Sequence, residues 1–181
     1  MTLVYREVIN FWFEQLTPKQ WWQKSPDLDK AIRDRFSDLH RSSVAGELYH
    51  WRIEPLGRLA EIIVLDQFSR QIYRDLPQAF AQDSMALVLA QHAIDAGADN
   101  GLDANQTSFL YMPFMHSESQ MIHRRAVELF SQPGLERNLH FELRHKAIID
   151  RFGRYPHRNN ILGRPSTPEE LAFLQQPGSA F

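Results

Sequence analysis

No cysteine occurs among the 181 residues. That absence removes disulfides, thiolate metal sites and a cysteine nucleophile, and it fits a cytoplasmic address. Long apolar runs are missing too. The longest strongly aliphatic stretch, Ile62–Leu65, is far short of the roughly 20 residues that span a bilayer. The segment MTLVYREVINFWFEQL carries Arg6, Glu7 and Glu14 inside its apolar pattern, so it does not read as a secretory signal. No membrane attachment is expected. There is no GxSxG, no GxxxxGK[ST] and no GxGxxG. Serine hydrolysis, nucleotide hydrolysis and dinucleotide binding therefore lose their usual sequence support. The eight histidines include no HExxH and no His-x-x-x-His pair, so neither a metal nor another cofactor is expected.

What is present is an aromatic-rich globular composition. Hydrophobic residues make up 43% and aromatics 12%, with 12 Phe, 5 Tyr and 4 Trp. A chain of this length suits one domain that buries roughly 70% of its unfolded surface. Phe11, Trp12, Phe13, Trp21 and Trp22 are expected to fill an interior rather than to present a partner or membrane surface. Net charge is −2, unevenly placed. From Arg137 to Arg164 seven Lys/Arg face two acids, a local +5, so the rest of the chain is −7. A basic segment on an acidic body suggests an anionic ligand at one place, not nucleic-acid binding, which usually gives a strongly basic domain.

The chain reads as helices throughout. Apolar residues at 4, 8, 11 and 12 predict a helix over 3–15. Thr17-Pro18-Lys19-Gln20 and Ser25-Pro26 are start signals, the second opening a helix over 28–49. Pro55 opens one to about Arg74, and Pro77 one to about Ala96 that Gly97 ends. Asp103–Gln106 begins a helix that Pro113 interrupts. Ser117–Gln120 resembles a capping box leading to Phe130. Pro133-Gly134 is a turn, 138–152 is helical, and Thr167-Pro168-Glu169-Glu170 opens a last short helix. Nothing alternates with period two long enough to be a strand. The expectation is a single all-α domain, residues 1–181, of about eight or nine helices stacked as antiparallel pairs.

IIVLDQFSRQIYR (62–74), FLYMPFMHSES (109–119), RHKAIIDRFGRYPHRNNILGRPSTPEELAFL (144–174) and PGSAF (177–181) together resemble the bacterial family filed as domain of unknown function 924. The resemblance covers nearly the whole chain. It implies a tetratricopeptide-like helical architecture and no particular activity.

The residues themselves mark three candidate constellations. Asp66, Arg70 and Arg74 sit four apart on one helix face, with Gln67 and Gln71 beside them. A charged stripe on a helix as apolar as Ile62–Leu65 must be paired or line a cavity. His116 stands just before the Ser117 cap and Glu118 just after it, at a helix N-terminus, where free N–H groups favour anions; the pair could exchange protons near neutral pH. In the third, Gly153 and Pro156 fix a turn carrying Arg154, His157, Arg158 and Asn159, and the two arginines could fork a carboxylate or phosphate. Alternatively they tie the C-terminal segment to helix ends or to Asp66 or Glu118. His145, beside Phe141, Ile148 and Phe152, reads as a core histidine.

The leading functional expectation is a small carboxylate- or phosphate-bearing ligand held by Asp66, Gln67, Arg70, Arg74, Arg154, Arg158 and Asn159. One alternative is an enzyme with His116 or His157 as general base and Glu118 as its partner. Another is a protein-interaction module with a helical groove. A homodimer is left open.

Overall fold

The computed structural model describes residues 4–180. The regular elements among them are all helical, and none is a strand. Leu3, where the first helix is expected to begin, and Phe181, which ends the PGSAF motif, lie outside the described residues. No described helix is long and apolar enough to cross a membrane. Backbone proximity divides the chain into two compact units. One runs to Arg74 and resumes over Gln78–Pro113; the other comprises Asp75–Pro77 and the chain from Phe114.

In the first unit, α1 (Tyr5–Ile9) continues as a π-helical turn, Asn10–Gln15. After it come α2 (Pro18–Trp21), α3 (Pro26–Val44) and α4 (Pro55–Ile63). A second π turn, Val64–Phe68, joins α4 to α5 (Ser69–Ile72). The remaining helices are α6 (Asp83–Asp95) and α7 (Ala104–Met115), whose last two residues belong to the second unit. Ile62, Ile63, Val64 and Leu65 are wholly buried. Asp66, Gln67 and Phe68, within the π turn, and Ser69, just after it, are buried as well.

Aromatic rings form the centre of this unit. Trp12 lies 5.7 Å from Phe68 and 5.5 Å from Phe109, Phe36 lies 4.8 Å from Phe68, and Trp21 lies 5.1 Å from Phe109. Trp21 Nε1 donates to the Trp12 carbonyl at 2.8 Å. Truncating one such ring costs roughly 3–5 kcal/mol, so these rings outweigh any ion pair at the unit's rim.

Several helix ends follow the predicted chemistry. The Thr17–Gln20 and Thr167–Glu170 boxes form, and Ser25 Oγ accepts from Leu28 N. Others differ for identifiable reasons. α3 stops at Val44, because left-handed Gly46 (φ 74°) lets Glu47 N–H return to the Ser42 carbonyl. Pro77 opens only a 3-10 turn, Pro77–Ala79, and the short-range bonding persists until α6 begins at Asp83. Pro113 does not interrupt α7; it sits in the last turn, where few residues remain to be displaced. Ser117 is not the cap of the next helix. Its hydroxyl accepts from Ser119 N, and Ser119 holds the N-cap position.

In the second unit α8 (Gln120–Phe130) packs along α9 (Glu136–Phe152). Gly153, left-handed at φ 67°, ends α9. A 3-10 turn, Pro156–Arg158, and a loop lead to α10 (Pro168–Leu174). Ile148, Ile149 and Tyr155 form a core that Phe152 and Phe173 cover.

Candidate functional site

The candidate residues fall in both units, and each group has its own surroundings. In the first unit the stripe on α4–α5 is paired. Gln67 Nε2 donates to Asp66 Oδ2 at 2.7 Å. Arg70 forks Asp83 at 3.0 and 3.1 Å and lies 3.6 Å from Asp66 Oδ1. Arg74 forks Asp29, with Nη2 donating to Oδ1 at 2.6 Å. Arg52 forks fully buried Glu61 in the same way, both bonds at 2.7 Å. The Arg70 fork fastens α6 to α5, the Arg74 fork ties α3 to the residues just after α5, and the Arg52 fork holds the 3-10 turn Tyr49–Ile53 to α4. Nearby, His40 Nε2 sits 2.8 Å from Ser69 Oγ, but that hydroxyl donates to the Leu65 carbonyl at 2.6 Å. Ser69 is thus bonded back into its own helix, and burial holds His40 below the ordinary histidine range.

In the second unit the turn after α9 is a hydrogen-bonded network. Arg154 forks Glu170 at 2.6 and 2.8 Å and also donates to the Pro165 carbonyl. Asn159 Nδ2 donates to Ser166 Oγ and Glu170 Oε2, and its Oδ1 accepts from Arg164 Nε at 3.0 Å. Arg164 forks Glu118 at 2.7 and 2.9 Å, while Tyr155 N–H donates to Glu118 Oε1 at 2.7 Å. Arg154 holds the Glu170 carboxyl down to about 2. Burial opposes ionisation of Glu118, but the bonds from Arg164 and Tyr155 outweigh it and hold the acid below its usual value.

Tyr155 is the hub of this unit. The rings of His123, His145 and His157 lie 6.3, 5.8 and 5.6 Å from it. The Arg158 guanidinium covers it at 4.7 Å. Arg158 is buried and donates to the His116 carbonyl at 3.0 Å, whereas His116 and His157 are half-buried. His145 Nδ1 donates to the Phe141 carbonyl at 2.8 Å. Burial pushes His145 down to about 3, and the charges of His116, His123 and His157 push the same way. Among the described residues no group of three or more acids and histidines is arranged to hold a metal. An open cleft of about 440 Å³ lies between α8 and α9, lined by Arg124, Val127, Leu143, Lys146, Ala147 and Asp150. None of the candidate residues lines it.

Residues 8–178 match the family described as bacterial protein of unknown function (DUF924). The chain belongs to that family. A solved structure, the protein of unknown function ATU0120 from Agrobacterium tumefaciens, is 35% identical with a TM-score of 0.90, covering 95% of this chain and 97% of that one. No curated protein matches. The all-helical DUF924 fold is thereby shown.

Sequence reasoning placed His116, Glu118, Arg154, His157, Arg158 and Asn159 together, and in the second unit they do converge. It passed over Tyr155, Glu142 and the second role of Glu170. Glu142 had a legible signal. It shares a helix face with His145 and Ile149, so a carboxyl stands on an otherwise apolar stripe.

Proposed function

We propose that the second unit binds a small molecule bearing a carboxylate or phosphate, held by His116, His157 and Arg158. The gathering of imidazoles and one guanidinium around the Tyr155 ring carries this reading. The Arg158 guanidinium stands over the Tyr155 ring at 4.7 Å, and a planar guanidinium offers five N–H donors to an anion. Half-buried His116 and His157 are within reach of a solute. Glu118, Asn159 and Arg154 belong to the scaffold that sets the turn, since each is engaged in the Arg164–Glu170 network. Arg70 and Arg74 fasten the first unit and leave the ligand set.

Titration calorimetry with inorganic phosphate and with succinate tests the reading. The expected result is saturable binding of one of them that Arg158→Lys weakens at least tenfold, because a compact ammonium cannot reproduce the fork, with the helical circular-dichroism signal retained. Absence of saturable binding up to 10 mM (roughly the weakest specific affinity, about 3 kcal/mol) would overturn it.

A further inference from the structure

A buried acid–imidazole pair lies behind the Tyr155 cluster. His123 on α8 and Glu142 on α9 are both fully buried, with His123 Nδ1 2.7 Å from Glu142 Oε1. The other imidazole nitrogen, Nε2, is 2.8 Å from the Ser117 carbonyl and 3.2 Å from the Tyr155 hydroxyl. A carbonyl oxygen only accepts, so Nε2 must carry a hydrogen. The Tyr155 hydroxyl spends its own hydrogen on the Met115 carbonyl at 2.6 Å, so it too can only accept from Nε2. One proton then remains to be placed between Nδ1 and Oε1. Glu142 Oε2 is buried and bonded to nothing among the described residues. A carboxylate would leave half its charge on that oxygen without a donor, whereas a carboxylic acid leaves only a neutral carbonyl there.

We propose that Glu142 and His123 are positioning residues, with Glu142 a protonated acid that donates to His123 Nδ1 and so fixes the Nε2–H tautomer that clamps residues 115–117 and the Tyr155 hydroxyl. The clamp holds the segment that presents His116, so its functional role rests on the anion-site reading. Burial pushes the Glu142 carboxyl above the usual carboxylate range, in the sense this requires; His123 and the nearby Lys146 oppose it, and Asp150 supports it. Lys146 and Asp150 are themselves an ion pair on α9, which blunts both effects. His145, held neutral by burial, is the other titratable ring facing Tyr155 from α9.

Long-range nitrogen–proton NMR of the ¹⁵N-histidine-labelled full chain at pH 7 reads the tautomer directly. A neutral His123 with hydrogen on Nε2 is expected. A doubly protonated ring, or hydrogen on Nδ1 alone, overturns the assignment. Glu142→Gln places an amide N–H where the acid O–H stood and is expected to keep that tautomer. Glu142→Leu removes the donor, and phosphate affinity should fall about tenfold, the effect of one lost buried hydrogen bond, with recovery in Glu142→Gln. Unchanged affinity in the leucine variant overturns the positioning role. If the leucine variant does not fold, the wild-type and glutamine spectra still decide the proton's place. If the wild type binds no phosphate, the ligand reading fails while the NMR result stands on its own.

Discussion

Arg164 closes on Glu118 with both terminal nitrogens, 2.7 and 2.9 Å from the two carboxylate oxygens, across forty-six residues of chain. The same guanidinium reaches the Tyr155 carbonyl at 3.2 Å and Asn159 Oδ1 at 3.0 Å. Both side chains are only about a quarter exposed, and the geometry is two-pronged, which separates this pair from ordinary surface bridges. Arg164→Ala should therefore lower stability by about 2 kcal/mol, and Glu118→Ala by a similar amount. Urea unfolding of both singles and the double variant should show a coupling of at least about 1 kcal/mol. Additive losses would show that the fork contributes nothing of its own.

Acid should loosen the turn through Glu170. Its carboxyl is held down to about 2 by the Arg154 fork, against 4.5 for the free group. A depressed carboxyl contributes stability that is complete above the unfolded value and lost as pH falls toward the folded one. The wild-type urea midpoint should drop between pH 4.5 and 2 beyond what Glu170→Gln shows over the same range. Parallel curves for the two proteins would contradict the assignment.

His145 acts in a higher window. Its folded value of about 3 lies below the ordinary 6.5, because burial disfavours the charged ring. For a histidine held neutral, stability is complete above 6.5 and declines as pH falls from there toward 3. Thermal unfolding at pH 7.5 and pH 5 should show a fall in Tm that His145→Leu reduces. A residual slope is expected in the variant, since burial lowers His40 in the same direction. An undiminished slope would place the pH sensitivity elsewhere.

The helices were legible because their punctuation is local. Pro55 at the first helical position, the Thr167–Glu170 box and left-handed Gly153 each act within one turn of their own residue. The π turns at 10–15 and 64–68 were not legible, because packing decides an extra residue per turn. The candidate residues of the third motif were found from sequence, but their partners were not. Nothing local tells that Arg154 takes Glu170 while Arg164 takes Glu118, since those pairings depend on how the loop after Pro156 folds back. For the same reason the sequence favours pairing of Asp66 and Arg70 without naming Asp83, which Arg70 meets thirteen residues along the chain.

Gly57, in the first turns of α4, offers a test of close packing that no charge complicates. A methyl group built on its Cα would stand 2.0 Å from the Trp51 carbonyl oxygen and 2.9 Å from the Trp51 carbonyl carbon. Both obstacles are backbone, and Trp51 is buried with its ring edge-on to Tyr5 at 6.2 Å. The 3-10 turn Tyr49–Ile53 therefore cannot yield by rotating a side chain. In an unconstrained helix the same Gly→Ala change would be favourable by up to about 1 kcal/mol. Here the steric term must win, and Gly57→Ala should destabilise by about 3 kcal/mol, the upper range for overpacking. Gly101, whose added methyl meets nothing within 4 Å, is the control, and Gly101→Ala should change the urea midpoint little. If the two variants unfold alike, α4 and the Tyr49–Ile53 turn do not approach each other as closely as the structure places them.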